Sequence, residues 1–172
     1  ALGRVLAGDV VSPLDVPAHD NSAMDGYAVR AQDLGANGET ALGVVGTAFA
    51  GRPFSGIVGP GQAVRIMTGA SIPQGADTIV VQEIARREHD RVSIPAGQKK
   101  GQNLRHAGED LAEGGVALAA GCRCGPAELG LIASLGIAEV AVRRRLRVAI
   151  LSTGDEIASI GRPLGPGEVY DS

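Results

Sequence analysis

Four short clusters of oxygen-bearing and charged side chains carry the chemical interest of this 172-residue chain. The first is Asp20-Asn21-Ser22-Ala23-Met24-Asp25-Gly26-Tyr27, with two carboxylates, an amide and a hydroxyl packed ahead of a glycine. Such a loop can present hard oxygen ligands to Mg²⁺, and the same residue types also build Asx-turns and helix N-caps. It lacks the ligand spacing of an EF-hand loop. The second is Arg65-Ile66-Met67-Thr68-Gly69-Ala70, where a Thr-Gly pair at a strand end offers a hydroxyl and free backbone donors to an anion, or simply makes a turn. The third, Gly101 to Asp110, sets Arg105, His106, Glu109 and Asp110 between glycines. There Arg105 can clamp a phosphate and Asp110 hold a metal, or the stretch is a charged surface loop. The fourth is Ser152-Thr153-Gly154-Asp155-Glu156, directly after the apolar run Val148–Leu151.

Carboxylates, hydroxyls and one arginine suit metal-assisted handling of a phosphate or oxyanion better than acyl transfer. No phosphate-binding P-loop, dinucleotide glycine fingerprint or nucleophile elbow is written in the sequence. The three histidines have no metal-ligand spacing, and Cys122 and Cys124 have no second pair with which to complete a zinc site. Two closely spaced cysteines also argue against a disulfide-stapled secreted scaffold, so a cytoplasmic location is expected. With 19 acidic and 16 basic residues, the formal charge of −3 predicts neither nucleic acid nor an anionic membrane as partner. No apolar run approaches the roughly 20 residues of a membrane span, and no signal-peptide pattern opens the sequence. Because the chain opens on Ala1 in mid-pattern, an N-terminal segment is expected to precede it.

The elements that must position these clusters are mostly strands. Glycine supplies 26 residues, and with the prolines it punctuates the chain at short intervals, which reads as an antiparallel β architecture. With only two Tyr, two Phe and no Trp, the cores must be built from Val, Ile, Leu and Ala. Extended segments are expected at 10–16, 27–31, 40–48 and 63–67, with bends at Gly43 and Gly46. One long strand is expected over 77–87, placing Gln82-Glu83 on its solvent face. A turn at His89-Asp90 then leads into 91–94 as a hairpin. Beyond Gly114-Gly115 come a short strand at 116–119 and a helix opened by Pro126, with Leu129, Ile132 and Leu135 on one face and Gly136 as its stop. A strand over 138–143 follows. After Arg143-Arg144-Arg145, the run 146–151 predicts a strand buried on both faces of a parallel sheet, with Asp155 and Glu156 at its carboxyl end. The fold class expected is α+β and β-rich.

In order, SPLDVPAHDNSAMDGYAVR, RIMTGASIPQGADTIVVQE, GQNLRHAGED and LSTGDE followed by GEVYDS make the chain resemble the molybdopterin molybdotransferase family, which includes the gephyrin E domain. The resemblance runs from about residue 2 to 172, with His19 departing from the aromatic residue often found there. It implies insertion of molybdenum from molybdate into adenylylated molybdopterin with release of AMP, with Mg²⁺ taking part. It implies a homodimer supplied by a molybdopterin adenylyltransferase. It implies three parts here: 1–19 plus 111–143 as a mixed, dimerising domain I, 20–110 as a β-rich domain II, and 144–172 as the start of a pterin-binding α/β domain III. Carried over by motif, Asp25, Thr68, Arg105, Asp110 and Glu156 would be catalytic. Thr68, Arg105 and Asp155 would contact the pterin substrate, and Asp25, Asp110 and Glu156 the metal. The cleft would lie between subunits, with Glu156 far from Asp25 within one chain, and these 172 residues alone would be inactive. The competing reading is a non-catalytic, dimeric β-rich scaffold whose polar loops are turns.

Overall fold

A computed structural model describes residues 1–171, so Ser172, the last residue of the 144–172 segment, lies outside the described residues. Twelve strands and one α-helix follow in order: β1 (Val10–Val11), β2 (Asn21–Ser22), β3 (Gly26–Val29), β4 (Glu39–Ala48), β5 (Gln62–Ile66), β6 (Thr78–Val81), β7 (Arg86–Glu88), β8 (Arg91–Pro95), β9 (Leu104–Arg105), β10 (Val116–Leu118), α1 (Pro126–Ser134), β11 (Ile157–Ala158) and β12 (Val169–Tyr170). The β-rich expectation holds. Six strands form one sheet in the order β6-β3-β5-β4-β8-β7. Its pairings are antiparallel except β4 with β5, which run parallel across the connection 49–61. An all-antiparallel reading misses that pair, because alternation within a strand says nothing about its neighbour's direction.

Alternation places two apolar layers on the sheet. On one face, Tyr27, Val29, Leu42, Ala63, Val80, Val92 and Ile94 pack together. On the other, Ala28, Ala48, Val58, Val64, Ile66, Ala70 and Ile79 do so, with Leu104 against them. Tyr27 is the one aromatic among the buried residues described, as the thin aromatic supply requires. The ladder between β4 and β5 slips between Val44 and Gly46, so the expected bend is a bulge. Gly26 sits where β3 lies between β5 and β6, and a Cβ there would stand 2.0 Å from the Val80 carbonyl oxygen.

Four expected strands are corrected. The 77–87 strand is two strands, β6 and β7, broken at 82–85 by turns in which the N–H groups of Ile84 and Ala85 donate to the carbonyls of Val81 and Gln82. Gln82-Glu83 therefore belongs to a bend, not to a strand's solvent face. The 138–143 segment forms only a single bridge, Leu6 with Val142, and β1 is two residues long, with Val16 bridging Leu111 further on. The run 146–151 forms no strand among the described residues. Leu146, Ile150 and Leu151 are more than four-fifths exposed, because no described segment hydrogen-bonds to this backbone to make a ladder.

Both edges of the six-stranded sheet are managed. Along β6, the Ile79 N–H donates to the Gln102 carbonyl and the Ile79 carbonyl accepts from Asn103 Nδ2 at 2.9 Å. On the far edge, β7 reads Arg86-Arg87-Glu88 and is fully exposed. A third core joins residues 6–10 to 118–142: Leu6, Val10, Cys124 and Ile132 are buried, with Leu118, Leu129, Val140 and Val142 against them. Helix α1 enters it through the predicted face. Glu128 accepts the Gly125 N–H at 2.8 Å, closing the first turn, and Gly136 takes φ +71° just past the last turn.

Candidate functional site

The two-residue strand β2 brings three of the four clusters together. Asn21 and Ser22 pair antiparallel with Arg105 and Leu104 of β9. On the other side, Asn21 bridges Ser71, the Ser22 N–H donates to the Ala70 carbonyl, and the Gly69 N–H donates to the Ser22 carbonyl. The loop 68–71 and the segment 104–110 thus flank the strand that leads to Asp25.

Two side-chain groups result. In the first, Asp25 Oδ1 accepts both the N–H and the hydroxyl of Thr68, each at 2.7 Å. These bonds hold the Asp25 carboxyl below the usual carboxylate range, with partial desolvation opposing and the positive charge of Arg65 adding a weaker pull. Among the described residues no donor reaches Asp25 Oδ2. Arg65 lies beside this group, its guanidinium 5.2 Å from the centre of the Tyr27 ring. It donates from Nη1 to the Gly26 carbonyl at 3.2 Å and from Nη2 to Gln82 Oε1. The Gln82 N–H in turn donates to the Asp25 carbonyl oxygen, carrying the β3–β6 pairing one step beyond Val81.

In the second group, Arg105 donates from Nε to Glu109 Oε1 at 2.6 Å and from Nη2 to Asp110 Oδ2 at 2.5 Å. Glu109 Oε2 also accepts the His106 N–H at 2.9 Å. Glu109 is lowered chiefly by Arg105, and Arg105 is raised chiefly by Glu109 and then by Asp110. Asp20 ties this loop to β2, accepting the Ala107 N–H at 2.8 Å and facing His106 Nδ1 at 3.3 Å. The Ala107 bond is the main reason its carboxyl is lowered, against some desolvation.

The donors expected to meet an anion are therefore spent inside the chain. Both Thr68 donors go to Asp25, the Gly69 N–H to Ser22, and the Ala70 N–H to the Met67 carbonyl. Arg105 is held by two carboxylates of its own loop. Thr68 and Arg105 act on carboxylates here, and what they leave outward is mostly acceptor oxygen.

Asp155 and Glu156 lie in a turn before β11, where the Glu156 carbonyl accepts the Val169 N–H at 2.8 Å. Neither side chain has a hydrogen bond or ion pair with Asp25, Thr68, Arg105 or Asp110. Among the described residues no three His, Cys, Asp or Glu side chains gather in a group able to hold a metal ion, so Asp25, Asp110 and Glu156 are not assembled as one set within the chain. The residues the sequence reading passed over are Asp20, Glu109 and Arg65. All three stood within clusters already singled out, and the four-residue spacing from Arg105 to Glu109 was a usable signal. Arg65 announced itself as a lone charge within the strand Gln62–Ile66.

Residues 1–136 match the family model described as "MoeA N-terminal region (domain I and II)". The chain belongs to the MoeA family. It is similar over its whole length to curated MoeA-type relatives. It is 47% identical over 173 residues to the molybdopterin molybdenumtransferase of Haemophilus influenzae, covering 42% of that protein. It is 48% identical over 175 residues to molybdopterin molybdenumtransferase 2 of Mycobacterium tuberculosis strain H37Rv, covering 43% of it. The crystal structure of a molybdopterin biosynthesis MoeA protein from Pyrococcus horikoshii superposes with a TM-score of 0.87 at 36% identity, over 99% of this chain and 44% of that one. The chain thus spans less than half the length of these relatives. No described helix is long and apolar enough to cross a membrane.

Proposed function

We propose that the chain is the N-terminal part of a cytoplasmic molybdopterin molybdotransferase. That enzyme inserts molybdenum from molybdate into adenylylated molybdopterin and releases AMP. The observation that carries this reading is the Asp25–Thr68 pair inside a chain matched end to end by molybdopterin molybdenumtransferases. Two donors on one oxygen keep the carboxylate ionised and aimed, and leave Oδ2 outward as a hard oxygen ligand.

That donor set fits Mg²⁺ of the kind shared with a substrate, which takes one or two protein carboxylates and fills its other positions with phosphate oxygens and water. Asp25 would hold it, with Asp110 as a second ligand. When bound, the ion would supply positive charge against the adenylyl phosphate. Thr68 fixes the Asp25 rotamer, and Arg105 fixes Asp110. Glu156 and Asp155 complete the cleft from the partner of a homodimer, with domain I (1–19 and 111–143) dimerising, domain II (20–110) presenting the carboxylates, and domain III opening at 144. A molybdopterin adenylyltransferase supplies the substrate, an adenylylated anion that must come from a nucleotidyl-transfer reaction. The separation of Glu156 from hydrogen-bond contact with Asp25 favours this division.

The test is turnover in the full-length protein with adenylylated molybdopterin, molybdate and Mg²⁺. Asp25→Asn and Asp110→Asn should each remove most cofactor formation while leaving the circular dichroism spectrum unchanged, and residues 1–172 alone should yield no product. Full turnover in folded Asp25→Asn protein would refute the reading and favour the scaffold alternative.

A further inference from the structure

The site described above is rich in acceptors, yet its substrates are anions on the reading just given, on which this inference rests. Arg105 meets them with its charge already matched, since its guanidinium is ion-paired with both Glu109 and Asp110. Arg65 is differently placed. It is half-buried in β5, directly opposite Tyr27 of β3 in the ladder. Its two recorded hydrogen bonds go to a neutral carbonyl and a neutral amide, and it is in no ion pair among the described residues. A guanidinium has five N–H donors, so most of them remain uncommitted. The Tyr27 ring, the Gly26 carbonyl and Gln82 hold the group flat and in one place, which lowers the entropy it would lose on gripping a ligand. Both of its partners touch Asp25: Gly26 follows it in the chain, and the Gln82 N–H donates to its carbonyl oxygen.

We propose that Arg65 is a substrate-binding residue of the Asp25–Thr68 site, taking a tetrahedral oxyanion through the N–H donors its Gly26 and Gln82 bonds leave uncommitted. The oxyanion is either the phosphoryl group of the adenylyl moiety or molybdate, and the chemistry is shared: a planar fork of N–H donors against paired anionic oxygens. Asp25 beside it holds the cation that such an anion brings. The pairing explains why a charged side chain is kept half-buried in β5 with no carboxylate in ion-pair contact among the described residues.

The experiment measures the affinity of the full-length protein for AMP, inorganic phosphate and molybdate separately by titration calorimetry, in the parent, Arg65→Gln and Arg65→Lys. Arg87→Gln serves as control, because Arg87 lies on the exposed edge strand β7, with three strands between it and β3. A charge-assisted hydrogen bond is worth about 1.5–3 kcal/mol, so Arg65→Gln should weaken at least one probe by roughly 10- to 100-fold. Arg65→Lys should fall between, keeping charge and losing the fork. AMP and phosphate weakened together assign the phosphoryl group, and molybdate weakened alone assigns molybdate. Changes below about twofold in all three probes, or an equal loss in Arg87→Gln, overturn the assignment. Should Arg65→Gln fail to fold, the Arg65 Nε–H resonance of the parent decides: it shifts on titration with the bound probe, or the assignment is wrong. Lost turnover in Asp25→Asn with unchanged affinities in Arg65→Gln defeats the Arg65 assignment alone. Full turnover in Asp25→Asn defeats the functional reading, and weakened anion binding in Arg65→Gln would still uphold Arg65 as an anion site.

Discussion

Replacing Gly26 by Ala tests the geometry that delivers Asp25 to the site. The added Cβ would lie 2.0 Å from the Val80 carbonyl oxygen, where ordinary contact begins at 3.4 Å, so β6 would have to retreat by 3.4 − 2.0 = 1.4 Å. The obstructing atom belongs to backbone, not to the tip of a flexible side chain, and cannot swing away. A retreat of that size takes ladder hydrogen bonds out of range along the four-residue pairing of β3 with β6. Each lost bond costs about 0.5–1.5 kcal/mol, and a buried group left unpaired costs about 1–3 kcal/mol. Partial relaxation by backbone shift costs about 1–3 kcal/mol by itself. The expected loss is therefore about 3 kcal/mol. Gly43→Ala in the same sheet is the matched control, since its nearest obstacle is the Gly61 carbonyl oxygen at 3.9 Å. It should change stability by at most about 1 kcal/mol, in the stabilising direction if the unfolded chain dominates. Urea denaturation followed by far-ultraviolet circular dichroism reads both. Gly26→Ala within about 0.5 kcal/mol of the parent, or Gly43→Ala losing as much as Gly26→Ala, would refute the reasoning.

Other outcomes follow from the same geometry. Thr68→Val removes the hydroxyl donor to Asp25, so the Asp25 carboxyl should titrate at higher pH than in the parent, measured by carboxyl ¹³C shifts; an unchanged titration would contradict the bond. Asp20, Asp25 and Glu109 are all lowered in the folded state, so their contribution is fully present above the ordinary carboxylate values of about 4 and is lost as pH falls through their folded values. Denaturation midpoints should accordingly hold steady near neutrality and decline below about pH 4, and less steeply in Asp20→Asn. Ile79→Ala, at a fully buried position in the second apolar layer, should cost about 2–5 kcal/mol by the same denaturation assay. Arg105→Lys should raise the Glu109 titration toward the ordinary range, because an ammonium cannot serve two carboxylates as the fork does.

What the sequence disclosed and what it withheld divide along physical lines. Helix α1 was legible because Pro126, Glu128, Leu129, Ile132 and Gly136 each speak for the same nine residues. The hairpin 86–95 was legible because its turn and its alternation are contiguous. The parallel pairing of β4 with β5 was not, since nothing within 39–48 names a partner 14 residues past its end. Nor was the break at 82–85, where the Ile84 and Ala85 N–H groups turn back onto Val81 and Gln82 although the residue types of 77–87 read as one run. The candidate side chains were visible as types. Their allegiances were not: whether Thr68 and Arg105 face a ligand or a neighbouring carboxylate is decided by β2, a strand too short to declare itself. The run 146–151 shows the opposite failure, a strong local signal for a strand with no described neighbour to pair with.

The sealed and charged margins of the six-stranded sheet have a consequence for how this protein behaves in a crowded solution. A bare strand margin is a template on which another polypeptide can add itself, and the apolar content of β6 would make it a strong one. With Gln102 and Asn103 already occupying that margin, and like-charged arginines side by side on the opposite one, chain-upon-chain polymerisation through this sheet is blocked at both ends. The 101–103 segment therefore guards solubility as well as carrying the backbone toward Arg105, and lesions there should show first as aggregation during synthesis.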